Sequence, residues 1–215
     1  MTDDDLFQEY SDRHRGVLKP LAQRLETYIA DCVQQLPRID RVSARAKLPD
    51  RFIAKATKLL DDGKRKYDQP LAQIQDQIGA RIVTFYLEDV VTVSTVVDRY
   101  FHAIEARDVI PDSESEFGYV GKHYVLAIPE DVFPEADGDL PRMPRFFELQ
   151  IKTLFQHAWS EAGHDLAYKP VIELNSLQKR QLAFTAAQAW GADQMFSTLS
   201  GELLASNRAQ DALPD

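Results

Sequence analysis

Apolar residues fall into alternating blocks of two periods along this chain. From residue 3 to 35, Leu6, Tyr10, Val17, Leu18, Leu21, Leu25 and Ile29 recur mostly at steps of three and four. That spacing predicts a mainly helical segment, kinked or split near Gly16 and Pro20 and ended by Leu36-Pro37. Residues 39 to 44 read as a short strand. Pro49-Asp50 then opens a helix of about fifteen residues. Residues 64 to 70 read as a loop, 79 to 86 as a strand carrying Ile82, Val83 and Phe85, and 88 to 101 as a helix. A short strand is predicted over 102 to 108, an acidic loop over 111 to 116, and a strong strand over 119 to 128. Residues 129 to 141 form a Pro- and Asp-rich connection.

Next, Phe147, Leu149 and Ile151 alternate with Glu148, Gln150 and Lys152 in a strand over 143 to 152. Period two places the polar three on one sheet face. A helix over 153 to 164 comes after it, and 174 to 206 reads as one or two helices. Residues 207 to 215 read as a frayed tail. The order of elements predicts a mixed α+β sheet with flanking helices rather than a regular parallel series. Residues 1 to 206 read as a single domain, with a core over about 40 to 170 and helical extensions at both ends. No Gly-rich phosphate loop of the Rossmann or Walker kind is present.

Composition narrows the picture. The 215 residues suffice for one full core. A net charge of −9 argues against broad, charge-driven nucleic-acid binding. The single Cys32 excludes an intrachain disulfide and fits a reducing compartment. The acidic start MTDDDLFQEY lacks a signal-peptide pattern, and no run approaches the length of a membrane span. A cytoplasmic protein without a membrane partner is the expectation.

Against the acidic whole, Arg45, Lys47, Arg51, Lys55 and Lys58 cluster locally, the last three on one predicted helical face. Such a run is either a solvated face or a cradle for a triphosphate, which needs several cations near one point. Asp76 stands at the entry to a strand, as a backbone-bonding turn residue or as a ligand for Mg²⁺, which favours one or two carboxylates plus substrate phosphates. Glu148 would complete that pair. Arg81 offers a planar guanidinium for a base or a phosphate. Alternation puts Tyr119, Gly121 and His123 on one face, and an exposed Tyr can stack on a purine. His157, Glu161 and His164 share a helical face but lack the spacing of a zinc protease helix, and Gly163 is expected to break that helix. Two carboxylates, a Tyr and a His converging on one sheet face suit metal-assisted nucleotide chemistry.

Taken in order, several strings resemble the synthetase domain of the RelA/SpoT family, especially the small alarmone synthetases. They are Arg45-Ala-Lys47-Leu-Pro-Asp-Arg51-Phe-Ile-Ala-Lys55, Asp76-Gln-Ile-Gly-Ala-Arg81, Gly118-Tyr119 with His123, and Glu148-Leu-Gln150-Ile-Lys-Thr153. His157-Ala-Trp159, Glu161, His164-Asp-Leu and Tyr168-Lys169 complete the set. The resemblance implies a nucleotidyltransferase-like α+β fold. It also implies transfer of pyrophosphate from ATP to the ribose 3′-hydroxyl of GDP or GTP, giving AMP and ppGpp or pppGpp. Under it, Arg45 and Arg81 sandwich the adenine, and Lys47 and Lys55 hold the ATP phosphates. Asp76 and Glu148 bind Mg²⁺, and Glu148 assists deprotonation of the attacking hydroxyl. Tyr119 stacks on the acceptor base, Gln150 and His157 line its pocket, and His123 lies near its phosphates.

The chain departs from the family pattern at Gly121 and Arg51, where Ser is familiar, and at Lys152, where Arg is familiar. These changes touch acceptor choice more than catalysis. Toxic relatives that modify adenosine nucleotides or the tRNA 3′ end are the alternative, with Lys64-Arg-Lys66 and Arg13-His-Arg15 as candidate tRNA contacts. A catalytically silent nucleotide-binding module is a third reading. Leu174, Leu177, Leu182, Phe184, Trp190, Met195, Phe196 and Leu199 either pack on the N-terminal helix or join copies into a homo-oligomer; the second is the expectation.

Overall fold

The structure is a computed structural model that describes residues 2–113, 116–118, 120–134, 143–168 and 174–211. Helix α1 (Asp3–Arg13) starts where the Thr2 hydroxyl accepts from Asp5 N and the Asp5 carboxylate accepts from Thr2 N, a capping box. A π turn, His14–Leu18, joins it to α2 (Lys19–Val33). The kink expected near Gly16 and Pro20 is therefore a widened turn. Proline has no N–H to continue the α ladder, and a π turn absorbs the missing bond.

Beyond α2 the described residues contribute five strands: β1 (Ile39–Ala46), β2 (Ile78–Thr84), β3 (Ala103–Val109), β4 (Gly121–Ala127) and β5 (Phe146–Thr153). They lie in the order β1-β2-β5-β4-β3. Only the central β2–β5 pair is parallel. The mixed sheet and the α+β class read from the sequence are both present.

On one sheet face Ile82, Phe147, Leu149 and Ile151 are buried, together with Leu25 and Ile29 of α2 and Val93 and Val97 of α5 (Leu87–Tyr100). The other face is partly covered by α6 (Leu154–Tyr168), against which α7 (Ser176–Asp211) packs. Thr153 and Gln156 cap α6 reciprocally, and Asn175 and Gln178 cap α7.

Several expectations are corrected. Helix α3 (Pro49–Ala56) is eight residues long, not about fifteen. The chain then doubles back through a Leu59–Arg65 bridge and Gly63, whose φ of 80° suits only glycine comfortably. Lys58 therefore lies beyond the helix that carries Arg51 and Lys55. A further short helix, α4 (Pro70–Gln73), lies where a loop ends. Helix α6 runs through Gly163, where an added Cβ would sit 3.8 Å from Leu182 of α7. Residues 176 to 211 form one helix, extending past residue 206. Among the described residues it packs chiefly on α6 and also touches α5.

Candidate active site

Sheet register gathers the predicted residues from four strands. Arg45 of β1 pairs with Gly79, Gly79 with Glu148, and Glu148 with Val125. The neighbouring rung runs Ser43, Arg81, Gln150, His123, Arg107. Residues two apart on a strand share a face, so both rungs present their side chains on the face that α6 only partly covers. Arg45 and Arg81 are diagonal neighbours there, and such pairs sit about 7–8 Å apart. That gap matches an aromatic ring held between two guanidinium planes. Gly79 lies opposite Arg45, and a Cβ added to it would meet nothing within 4 Å, so the floor beside the two arginines is open.

At the end of these rungs, β1 finishes beside the start of β2, and Lys47 N donates to Gln77 O at 2.8 Å. This brings Lys47, Lys55 of α3 and Asp76 together. Both lysine Nζ atoms lie 2.8 Å from Asp76 Oδ2. Burial alone pushes the Asp76 carboxyl up, but the two lysines outweigh it and hold the group below the ordinary carboxylate range. Asp76 Oδ1 is buried with no hydrogen-bond partner among the described residues.

Glu148 faces His123, whose Nδ1 is 3.0 Å from Glu148 Oε1, and accepts from Gln150 Nε2 at 3.3 Å. Burial again raises this carboxyl, yet its contacts with His123 and Gln150 leave it lowered, with the charge of Asp76 opposing them. Asp76, Glu148, His123 and Lys55 line one cavity of about 440 Å³. An orphaned carboxylate oxygen and a second carboxylate on the same cavity fit Mg²⁺. No group of three or more His, Cys, Asp or Glu side chains placed for a metal occurs among the described residues. That donor set suits an ion completed by substrate phosphates rather than a closed protein cage.

Arg81 is pinned from α6: its Nη1 lies 3.0 Å from His157 Nδ1 and donates to Glu161 Oε1 at 2.8 Å. Burial and then the Arg81 charge lower the His157 pKa, which suits a neutral ring accepting from the guanidinium. Arg81 and His157, which the resemblance assigns to the adenine and to the acceptor pocket, are thus joined in one contact. Tyr119 lies outside the described residues, as do the side chains of His164 and Asp165.

Three features are not evident from the sequence. Glu161 belongs there to a metal-like pattern, whereas its position one turn after His157 serves Arg81. Glu105 and Arg107 of the edge strand line the cavity with Gln73, Gln75 and Tyr67, and their period-two spacing is a usable signal. Lys152 is not on a solvated face but buried beneath α6, with Nζ 3.1 Å from Ser160 Oγ.

Comparison with known proteins decides the family. Residues 44–172 match the region found in RelA / SpoT proteins. The chain belongs to the RelA/SpoT family. Among its relatives, this RelA/SpoT chain is 27% identical over 150 residues to GTP pyrophosphokinase YjbM of Bacillus subtilis (strain 168), covering 67% of each chain. Its fold is that of small alarmone synthetase 1 from Bacillus subtilis, with a TM-score of 0.73 at 21% identity over 94% of this chain and 99% of that one. The structure of that synthetase bound to its product pppGpp gives a TM-score of 0.68 at 22% identity, covering 93% and 99%. Among the described residues, no helix is long and apolar enough to cross a membrane.

Proposed function

We propose that this chain is a GTP/GDP pyrophosphokinase that moves the β,γ-pyrophosphate of ATP to the ribose 3′-hydroxyl of GDP or GTP. The observation that carries the reading is one open sheet face on which a pair of arginines, a lysine pair and two carboxylates adjoin. Arg45 and Arg81 flank the space for the adenine, and Lys47 and Lys55 neutralise the triphosphate. In the reaction, the 3′ oxygen forms a bond to the β-phosphorus and the bond from that phosphorus to the α,β-bridging oxygen breaks. AMP leaves with that oxygen, and the hydroxyl proton passes to Glu148. A loose phosphoryl-type transfer needs positioning and charge neutralisation more than covalent help. Glu148 is ionised at neutral pH, as a proton acceptor must be.

Asp76 and Glu148 would hold Mg²⁺, which supplies charge stabilisation to the transferring phosphates. Gln150, His123 and Tyr119 are assigned to the acceptor. His157 also serves that pocket's wall, through its hold on Arg81. A second copy of the chain is the further partner proposed, through α7.

Incubation with γ-labelled ATP and each acceptor in turn tests the reading. Labelled product with GDP or GTP is the expected result. Product only with adenosine nucleotides, or only at the 3′ end of tRNA, would overturn the acceptor. ATP binding without transfer to any acceptor would make the chain a silent nucleotide-binding module.

A further inference from the structure

The lysine–carboxylate cluster is assembled from three separate stretches: Lys47 after β1, Lys55 on α3, and Asp76 at the end of the loop beyond α4. One turn of the N-terminal helix reaches all three. Tyr10 is fully buried. Its hydroxyl donates to the Lys47 carbonyl at 2.9 Å. Its ring lies on Phe52, with centroids 3.7 Å apart and planes 5° from parallel. Phe52 sits one turn before Lys55 on the same short helix. Arg13 Nη1 donates to Leu71 O at 3.4 Å. The same carbonyl receives the Gln77 amide, so the stretch that delivers Asp76 is gripped at both ends. His14, also buried, lies against the backbone of Ala46, the residue before Lys47.

Positions 10, 13 and 14 lie at i, i+3 and i+4 and so share one helix face. The π turn comes directly after Arg13. An extra residue in a turn rotates α2 against α1. The apolar stripe of α2 can therefore face the core while Tyr10, Arg13 and His14 face the cluster. Burial keeps the Tyr10 hydroxyl protonated far above neutral pH, so the donor is permanent. The turn lies outside the stretch matched to the family, which begins at residue 44.

We propose that Tyr10 is a positioning residue for the ATP triphosphate, acting with Arg13 and His14 to hold Lys47, Lys55 and Asp76 in mutual register. This rests on the assignment of the ATP phosphates to that cluster. Tyr10→Phe deletes the bond to the Lys47 carbonyl and keeps the ring stack. Val97→Ala serves as a control, because it opens a gap in the buried face of α5, which packs mainly on α2, α7, β2 and β5.

Both variants and the wild type are titrated calorimetrically with the magnesium complex of α,β-methylene-ATP, melted thermally, and assayed for transfer. Tyr10→Phe is expected to weaken analogue binding by about threefold to tenfold and to raise KM for ATP in step, with kcat within about twofold of wild type. Val97→Ala is expected to lower Tm and to bind the analogue like the wild type. Equal analogue affinity in Tyr10→Phe and wild type would overturn the proposal. So would Val97→Ala weakening the analogue as much as Tyr10→Phe. Failure of the wild type itself to bind the analogue would instead overturn the assignment of ATP to the cluster, and the proposal with it.

Discussion

Two side chains on one strand show how far a residue's neighbours, not its type, set its chemistry. Glu148 and Lys152 alternate alike with Phe147, Leu149 and Ile151. Glu148 faces a cavity and keeps its charge through His123 and Gln150. Glu148→Gln preserves shape and removes the charge proposed to accept the proton. Turnover should fall by about 10²-fold or more. A thermal melt should be near normal, because the core side of β5 is untouched. Near-wild-type turnover with the true acceptor would place Glu148 outside the chemistry.

Lys152, by contrast, is buried under α6, and burial joined by the Arg81 charge lowers its pKa to about 7. Its unfolded value is near 10.5. Between these two values the unfolded chain carries a proton that the folded protein has lost, so stability rises with pH across that window. Below it both states are charged and the burial cost is fully present. Lys152→Met should therefore be more stable than wild type at about pH 6.5, with the gain shrinking toward about pH 9.5. Urea unfolding at both values measures it, and identical pH slopes would mean the ammonium is solvated. Alternation in the sequence shows which face Lys152 occupies. It does not show that α6 covers that end of the face, since coverage is set by where a later helix lands.

At the scale of elements, the strands are most legible where period two survives, as in β5 with Phe147, Leu149 and Ile151. The helix ends are less so. The basic residues at 51, 55 and 58 continue a helical rhythm past the true end of α3, and the turn through Gly63 overrides it. Gly163 has the character of a breaker, but close approach of α7 favours a residue without a side chain there, and propensity yields to packing.

The same approach buries Asp193 of α7, whose Oδ2 accepts from Thr153 Oγ1 at 2.8 Å. Thr153 is the residue that caps α6, so one carboxylate ties β5, α6 and α7 together. Burial raises its pKa to about 6, against a smaller lowering by Thr153. The folded protein thus holds a proton between about 3.8 and about 6 that the unfolded chain does not. Stability from this group is present at the acid end and lost as pH rises through about 6. Asp193→Asn still offers an oxygen to Thr153 but carries no charge. Its Tm should exceed that of wild type at about pH 8, with the excess shrinking toward about pH 5. A lower Tm at the higher pH would mean that the charge itself is favourable there.

For the whole molecule, the distribution of charge and apolar surface matters more than the totals. A net charge of −9 coexists with a cationic island at one sheet end, so the acidic bulk does not describe the site. The order of strings carries the fold because each string marks a strand end or helix that the sheet brings to one face. The C-terminal helix is the element whose surface the single chain leaves unused. Its 36 residues span about 54 Å, far more than α6 can cover. Leu177, Phe184, Trp190, Met195, Phe196, Leu199 and Leu203 remain exposed along it. An exposed apolar surface of this extent is unusual for a monomer and normal for an interface. A second copy of the chain would bury it by setting the same patch against itself. Light scattering should then give a mass above that of one chain, falling toward the monomer as protein is diluted. Phe184→Glu with Met195→Glu, both on exposed positions, should lower the mass while leaving the melt of the sheet core intact. A monomer mass for the wild type at high concentration would leave α7 as a surface for some other partner and overturn self-association.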